Sequence, residues 1–387
     1  MNEKNRISKM KIAYMGIKGL PSKGGAERVV EPIVQELKDR QELTVYCNRR
    51  YTSSDTKLPQ VNLVRIPTLP GKHLQPVSLF ILSALHALFK GNYDLIHLHN
   101  VEACFVLPLL RLRYRVIATS HGSPVRAARS KWGCVARTLM GLTEYPYLLL
   151  SNCATSVSWC DAEYFEQRCR RRKVLCLPNG VKEYPVSQRA ALSALEQIGL
   201  KPGKYILFAA GRIDPTKGCH LVLEAFYRLL PHDMKLVIVG DLSQVPHYSQ
   251  NIQNMADDRT LFIPHIAEKE KLFGIVRNCR LFIFPSLVEA MSMMLLEVAV
   301  MGVPLICSDI PENKDVLGKH AIYFQSRNAQ DLAKKMQVAL EHPDLMARYA
   351  ADAQSWVKSR HSWEGMVKGY EALYEKIAAH AQISCRE

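Results

Sequence analysis

Two carboxylates in an apolar run pose the first chemical question. In SLVEAMSMMLLEVAVMGVP, residues 286–304, Glu289 and Glu297 stand eight residues apart among almost wholly apolar neighbours. An acid near a helix N-terminus is favoured by the helix dipole, which accounts structurally for Glu289. Glu297 falls inside the apolar helical stretch, where a carboxylate is costly unless something hydrogen-bonds to it. A pair of ligand hydroxyls would serve, and so would an arginine or a backbone amide. Cations come from GRIDPTKG, residues 211–218. Arg212 can hold phosphate oxygens bidentately and Lys217 acts as a point charge, so the two suit a diphosphate and the charge that builds on it as it departs. A solvated surface pair is the other reading. Gly24 and Gly25 precede a helical pattern, either letting an anion reach the backbone or forming a plain tight turn. His97 and His99 share one strand face. With no third ligand in sequence reach they read as core or supporting residues rather than a metal site.

These residues need elements to position them. KIAYMG, ELTVYC, LVRIP, DLIHLH, RVIATSH and CATSVS read as buried strands, with amphipathic stretches such as AERVVEPIVQELKD between several of them. After the polar interval KEYPVSQRAALSALEQIGLKPGK the pattern restarts with KYILFAAG, KLVIVGD, TLFIPH, LFIFPS, VPLICS and AIYFQ. This is the grammar of two doubly wound α/β units with parallel sheets covered on both faces. Ligands of such sheets bind outside the strands' carboxyl ends, so the expected site is a cleft that both units face. The expected domains are 1–188, 189–362 and a tail helix, 363–387, without a strand partner of its own.

A chain of 387 residues is long enough for two ordinary domains. Its 48% hydrophobic and 22% charged residues argue against bulk disorder, and no stretch reaches the roughly 18 unbroken apolar residues of a membrane span. The start, MNEKNRISKMKIAYMG, lacks the pattern of a secretory leader, so a cytoplasmic protein is expected. Eleven scattered cysteines without a CxxC pair read as reduced thiols. The net charge of +15 lies in the first half: residues 1–190 hold 29 Lys+Arg against 14 Asp+Glu. That half is expected to face something anionic, nucleic acid or a membrane surface. RLRYRV at 111–116, Arg126, Arg129, Lys131, Trp132 and RCRRRK at 168–173 form a candidate membrane-facing patch, or a solvated charged face.

Glu289-x7-Glu297 is followed by MGVP and SDIPEN and preceded by GRIDPTKG. With DLIHLHN, SHG, the PNGV turn at 178–181 and the Gly-Gly loop, the chain resembles the retaining nucleotide-sugar glycosyltransferases of family 4 from about residue 10 to 375. The resemblance implies a GT-B fold with two Rossmann-like domains, donor bound mainly by the second and acceptor mainly by the first. The tail helix would cross back to the first. It implies that Arg212 and Lys217 hold the donor diphosphate, Glu297 the ribose hydroxyls, and Glu289 the transferred sugar. Backbone amides of Met291, Ser292, Met293 and Met294 would hold sugar and phosphate, within a donor segment running from Ala290 to Leu295. Gly24 and Gly25 would close over the phosphates, His121 would lie against the sugar, and His265 and Ile266 would touch the base. Arg212, Lys217, Glu289 and His121 are thus the expected catalytic set.

The reaction implied is sugar transfer to a glycan or lipid-linked acceptor with retention, by same-face attack in which the departing phosphate takes the acceptor proton. Neither a metal nor another cofactor is implied, and the chain has no DxD-like pair suited to Mg²⁺ or Mn²⁺. Two departures bear on specificity. Ala290 stands where many relatives have glycine, and SHGSPVRAARSKWG is unusually basic. Surface polysaccharide biosynthesis at the inner face of the plasma membrane is the expected setting. Hydrolysis or epimerisation of a nucleotide sugar is the alternative chemistry. RNA binding is a remote alternative, since no recognisable module or interleaved aromatics accompany the charge.

Overall fold

The computed structural model describes residues 9–22, 24–71, 74–128, 134–229 and 233–384. The chain divides into two compact units, one running to Asn179 and resuming at Glu364, the other Gly180–Trp363. This division precedes the expected 188/189 boundary for a local reason. The Val181 amide donates to the His361 carbonyl at 2.8 Å, and Val181 bridges to Ser362, which ties the residues after Asn179 into the second unit.

The first unit holds β1 (Lys11–Met15), β2 (Glu42–Asn48), β3 (Val61–Ile66), β4 (Leu95–His99), β5 (Arg115–Ser120), β6 (Cys153–Ser156) and β7 (Leu175–Cys176). They form one parallel sheet in the order β3-β2-β1-β4-β5-β6-β7. Strand β4 is buried at every position, which is why DLIHLH reads as a near-continuous apolar run rather than an alternating one. The helix Trp363–Ser384 packs on this same sheet. Its Tyr370 and Tyr374 are fully buried, and Glu371 meets Arg40 at 2.5 Å.

The second unit holds β8 (Tyr205–Arg212), β9 (Lys235–Asp241), β10 (Thr260–Ile263), β11 (Leu281–Phe284), β12 (Leu305–Ser308) and β13 (Ile322–Phe324). They too are parallel, ordered β10-β9-β8-β11-β12-β13. In each sheet the winding reverses once, between β1 and β4 and between β8 and β11. At such a reversal the flanking connections leave in opposite directions, which opens a crevice at the strands' carboxyl ends. Arg212 and the segment after Phe284 stand at one reversal, and His99 at the other.

Candidate functional site

In the second unit, β8 ends on Arg212, whose side chain is exposed, and the chain then turns through residues 213–218. Asp214 shapes the turn: its carboxylate accepts both the amide and the hydroxyl of Thr216. The Thr216 carbonyl in turn accepts the Leu287 amide at 2.8 Å, stitching this loop to the segment that follows β11. Gly218 makes the contact closer still. At φ +70°, a Cβ there would stand 2.3 Å from the Pro285 carbonyl oxygen. The consequence is that Lys217 lies against Glu289, its Nζ donating to Oε1 at 2.5 Å. Residues 72 apart in sequence thus form one partly buried ion pair.

Gly218→Ala should therefore misplace the Lys217 ammonium as well as strain the turn. A loss of about 1–3 kcal/mol in stability is expected. Donor affinity should fall more steeply than the melting temperature alone would explain, as calorimetry and nucleotide titration on one preparation would show.

The helix carrying Glu297 begins beyond Glu289. Ser292 is its N-cap, Oγ accepting the Leu295 amide at 3.5 Å, and the helix runs Met293–Val300. Glu289 is on irregular chain, and Glu297 sits little more than one turn into the helix. Glu297 is 7% exposed. The amides of Met293 and Met294 belong to the first turn, where N–H groups have no intrahelical acceptor. Ala290, Ser292, Met293 and Met294 are half-buried, while Met291 and Leu295 are buried. His265, exposed, and Ile266, half-buried, follow β10. Because the sheet is parallel, these residues, the Lys217 loop and the Glu289 segment all lie at the carboxyl ends of its strands.

In the first unit Gly24 and Gly25 precede the helix Glu27–Leu37 with φ of +146° and +63°. A Cβ on Gly24 would meet nothing within 4 Å, so the backbone angle and not crowding selects glycine there. His121 lies just past β5 and is joined by a residue the sequence left in a supporting role: His99 Nδ1 and His121 Nε2 are 2.9 Å apart. His99 is fully buried, and its Nε2 has no hydrogen-bond partner among the described residues. The two tautomers differ in cost. If His121 were the donor, His99 Nε2 would be a buried N–H without an acceptor, the dearer kind of orphan. With His99 Nδ1–H donating, only a lone pair is left bare, and His121 carries its proton on Nδ1.

His97 is held on both sides, Nδ1 to the Tyr374 hydroxyl at 2.7 Å and Nε2 to Thr119 Oγ1 at 2.6 Å. Tyr14 joins Tyr374 at 3.2 Å and Thr155 joins Thr119 at 2.6 Å. One proton order satisfies the row: Tyr14 donates to Tyr374, Tyr374 to His97, His97 to Thr119, and Thr119 to Thr155. Burial lowers the His97 pKa to about 3 and that of His121 to about 4, and holds His99 well below the imidazole range. All three rings are neutral at physiological pH.

Solved structures share this architecture. Sucrose-phosphate synthase from Thermosynechococcus elongatus superposes with a TM-score of 0.81 at 20% identity, over 96% of this chain and all of that one. Anabaena Alr3699/HepE, solved in complex with UDP-glucose, gives 0.76 at 18%, over 96% of this chain and 99% of its own. The fold is GT-B. Residues 23–183 match the family model described as Glycosyltransferase Family 4, and residues 193–356 the one described as Glycosyl transferases group 1. The chain belongs to the family 4 glycosyltransferases. Among its curated relatives, the Escherichia coli UDP-Gal:alpha-D-GlcNAc-diphosphoundecaprenol alpha-1,3-galactosyltransferase is 24% identical over 80% of this chain and 82% of that protein. The D-inositol 3-phosphate glycosyltransferase of Nocardia farcinica is 25% identical over 80% and 73%.

Proposed function

We propose that this glycosyltransferase moves a hexose, with retention at the anomeric carbon and without a metal ion, from a nucleoside diphosphate sugar to a glycan or lipid-linked acceptor. Surface polysaccharide synthesis at the inner face of the plasma membrane is the proposed setting. The observation that carries the donor assignment is the Lys217–Glu289 pair at the β8/β11 reversal, beside exposed Arg212 and the start of the Met293–Val300 helix. Arg212, Lys217 and first-turn amides supply fixed positive potential where diphosphate charge develops. Glu289 takes a hydroxyl of the transferred sugar and Glu297 the ribose. In the step itself the acceptor oxygen bonds to the anomeric carbon as the bond from that carbon to the phosphate oxygen breaks, and the acceptor proton passes to the departing phosphate. The names of two similar proteins support the substrate class, one crystallised with UDP-glucose and the other acting on a diphosphoundecaprenol-linked sugar.

The test is product analysis with a panel of uridine, guanosine and thymidine diphosphate hexoses and a diphosphate-lipid-linked glycan. An acceptor-dependent product with the donor's anomeric configuration, formed equally in EDTA, is expected. An inverted linkage would overturn retention, and release of free or epimerised sugar alone would overturn transfer.

A further inference from the structure

The first unit carries an apolar surface that its core does not use. The helices Leu74–Lys90 and Cys134–Leu150 both pack against the short helical turns of residues 101–110, so the two flank that segment on one side of the sheet. Each presents apolar side chains outward at helical spacing. Val77 and Ile81 are 43% and 39% exposed on the first, and Leu142 and Leu149 are 56% and 60% exposed on the second. The stripes end at the amino side of β5. There Phe89, at the end of the 74–90 helix, is 81% exposed, and Leu112, in the turn before β5, is 77% exposed.

Guanidinium groups surround this end. Arg113 donates to the Leu88 carbonyl at 2.5 Å, Arg111 to Asn152 Oδ1 at 2.7 Å, and Arg172 to the carbonyls of Ser151 and Asn152. Lys90 is exposed beside Phe89. Cations near helix C-termini compensate the helix dipole, and that alone would explain the arginines. It does not explain why a phenylalanine and a leucine project into solvent between them. Nor is the charge balanced locally: residues 57–143 contain 11 Lys+Arg and only Asp94 and Glu102 as acids, and Glu144, which follows, is fully buried.

We infer that this face docks on an anionic bilayer surface, Phe89 and Leu112 inserting at the headgroup level while Lys90, Arg111, Arg113 and Arg172 meet lipid phosphates. Apolar side chains ringed by cations match the two layers of such an interface, acyl boundary and anionic headgroups. A second copy of the chain fits less well, because a twofold self-contact would set these arginines against their own counterparts. Arg129, Lys131 and Trp132, also expected at a membrane, lie outside the described residues. The inference deepens the membrane-side setting proposed above and rests on it for the choice of partner alone, since vesicle binding is measured without any substrate.

The test uses the full chain and sedimenting vesicles of phosphatidylcholine with and without phosphatidylglycerol. Binding is expected only to the anionic vesicles and should weaken in high salt. Phe89→Ser with Leu112→Ser should lower the partition coefficient by about tenfold or more, and Leu112→Trp should raise it. Turnover of a soluble donor and acceptor pair should stay unchanged in all variants, so a failure of this surface is separable from a failure of the proposed activity. The inference is overturned if wild type ignores anionic vesicles, if the double variant binds as wild type does, or if light scattering shows a dimer that the double variant abolishes.

Discussion

Arg212→Ala and Lys217→Ala are each expected to lower kcat/KM by about 10²–10³, the cost of removing one preorganised charge from a developing anion. The two should differ in how the loss arises. Arg212 is exposed at the end of β8, so its removal deletes a contact without disturbing a neighbour. Lys217 is paired with Glu289, whose side chain is only 11% exposed, so Lys217→Ala also leaves a carboxylate beside the place proposed for the diphosphate. That carboxylate would repel the donor. Glu289→Gln in the Lys217→Ala background should then recover part of the donor affinity, although Glu289→Gln alone should impair turnover. Such sign-changing non-additivity is expected of residues that touch or share one network, and not of distant independent sites. Steady-state kinetics of the two single variants and the double variant complete the cycle. Wild-type rates in Arg212→Ala and Lys217→Ala would remove the donor site from this loop, and strict additivity would separate Lys217 from Glu289 in function.

That ion pair marks the limit of what could be read without coordinates. The strand pattern was legible because parallel strands covered on both faces leave apolar runs, and twelve of the thirteen strands correspond to such runs. The exception, β7, is two residues long and carries no periodicity to detect. Each cation and each acid could also be named as a candidate from its type and its place after a strand. Their pairing could not, since it depends on β8 and β11 being neighbours and on Gly218 packing against Pro285. The exposed face of the 74–90 helix was illegible in a different way. A helix apolar on most sides reads as core, and only the packing reveals which apolar residues remain in water.

Acid should unfold the first unit through the same histidines that prepare His121. His97 and His121 have folded pKa values of about 3 and 4, and His99 is also held well below the usual value, against about 6.5 in the unfolded chain. Between the folded and unfolded values the unfolded chain binds one more proton at each site, so stability rises with pH in that window. The contribution is complete above about pH 6.5 and is lost as pH falls, at about 1.4 kcal/mol per pH unit for each histidine. Burial raises the pKa values of Glu27, Glu102 and Glu144, and these carboxyls act in the opposite sense by binding protons more readily when folded. The net slope therefore mixes both groups, and a substitution is needed to isolate the histidines. His97→Gln can still bridge Tyr374 and Thr119 with an amide but cannot titrate. Urea midpoints between pH 4 and 6 should then vary with pH by about one proton less than in wild type, and an unchanged slope would mean that His97 is not the buried neutral ring described here. Neutrality matters beyond stability. The single proton shared by His99 and His121 at 2.9 Å requires an acceptor lone pair on His121, and a proton added to that lone pair would set two N–H donors face to face in place of the hydrogen bond.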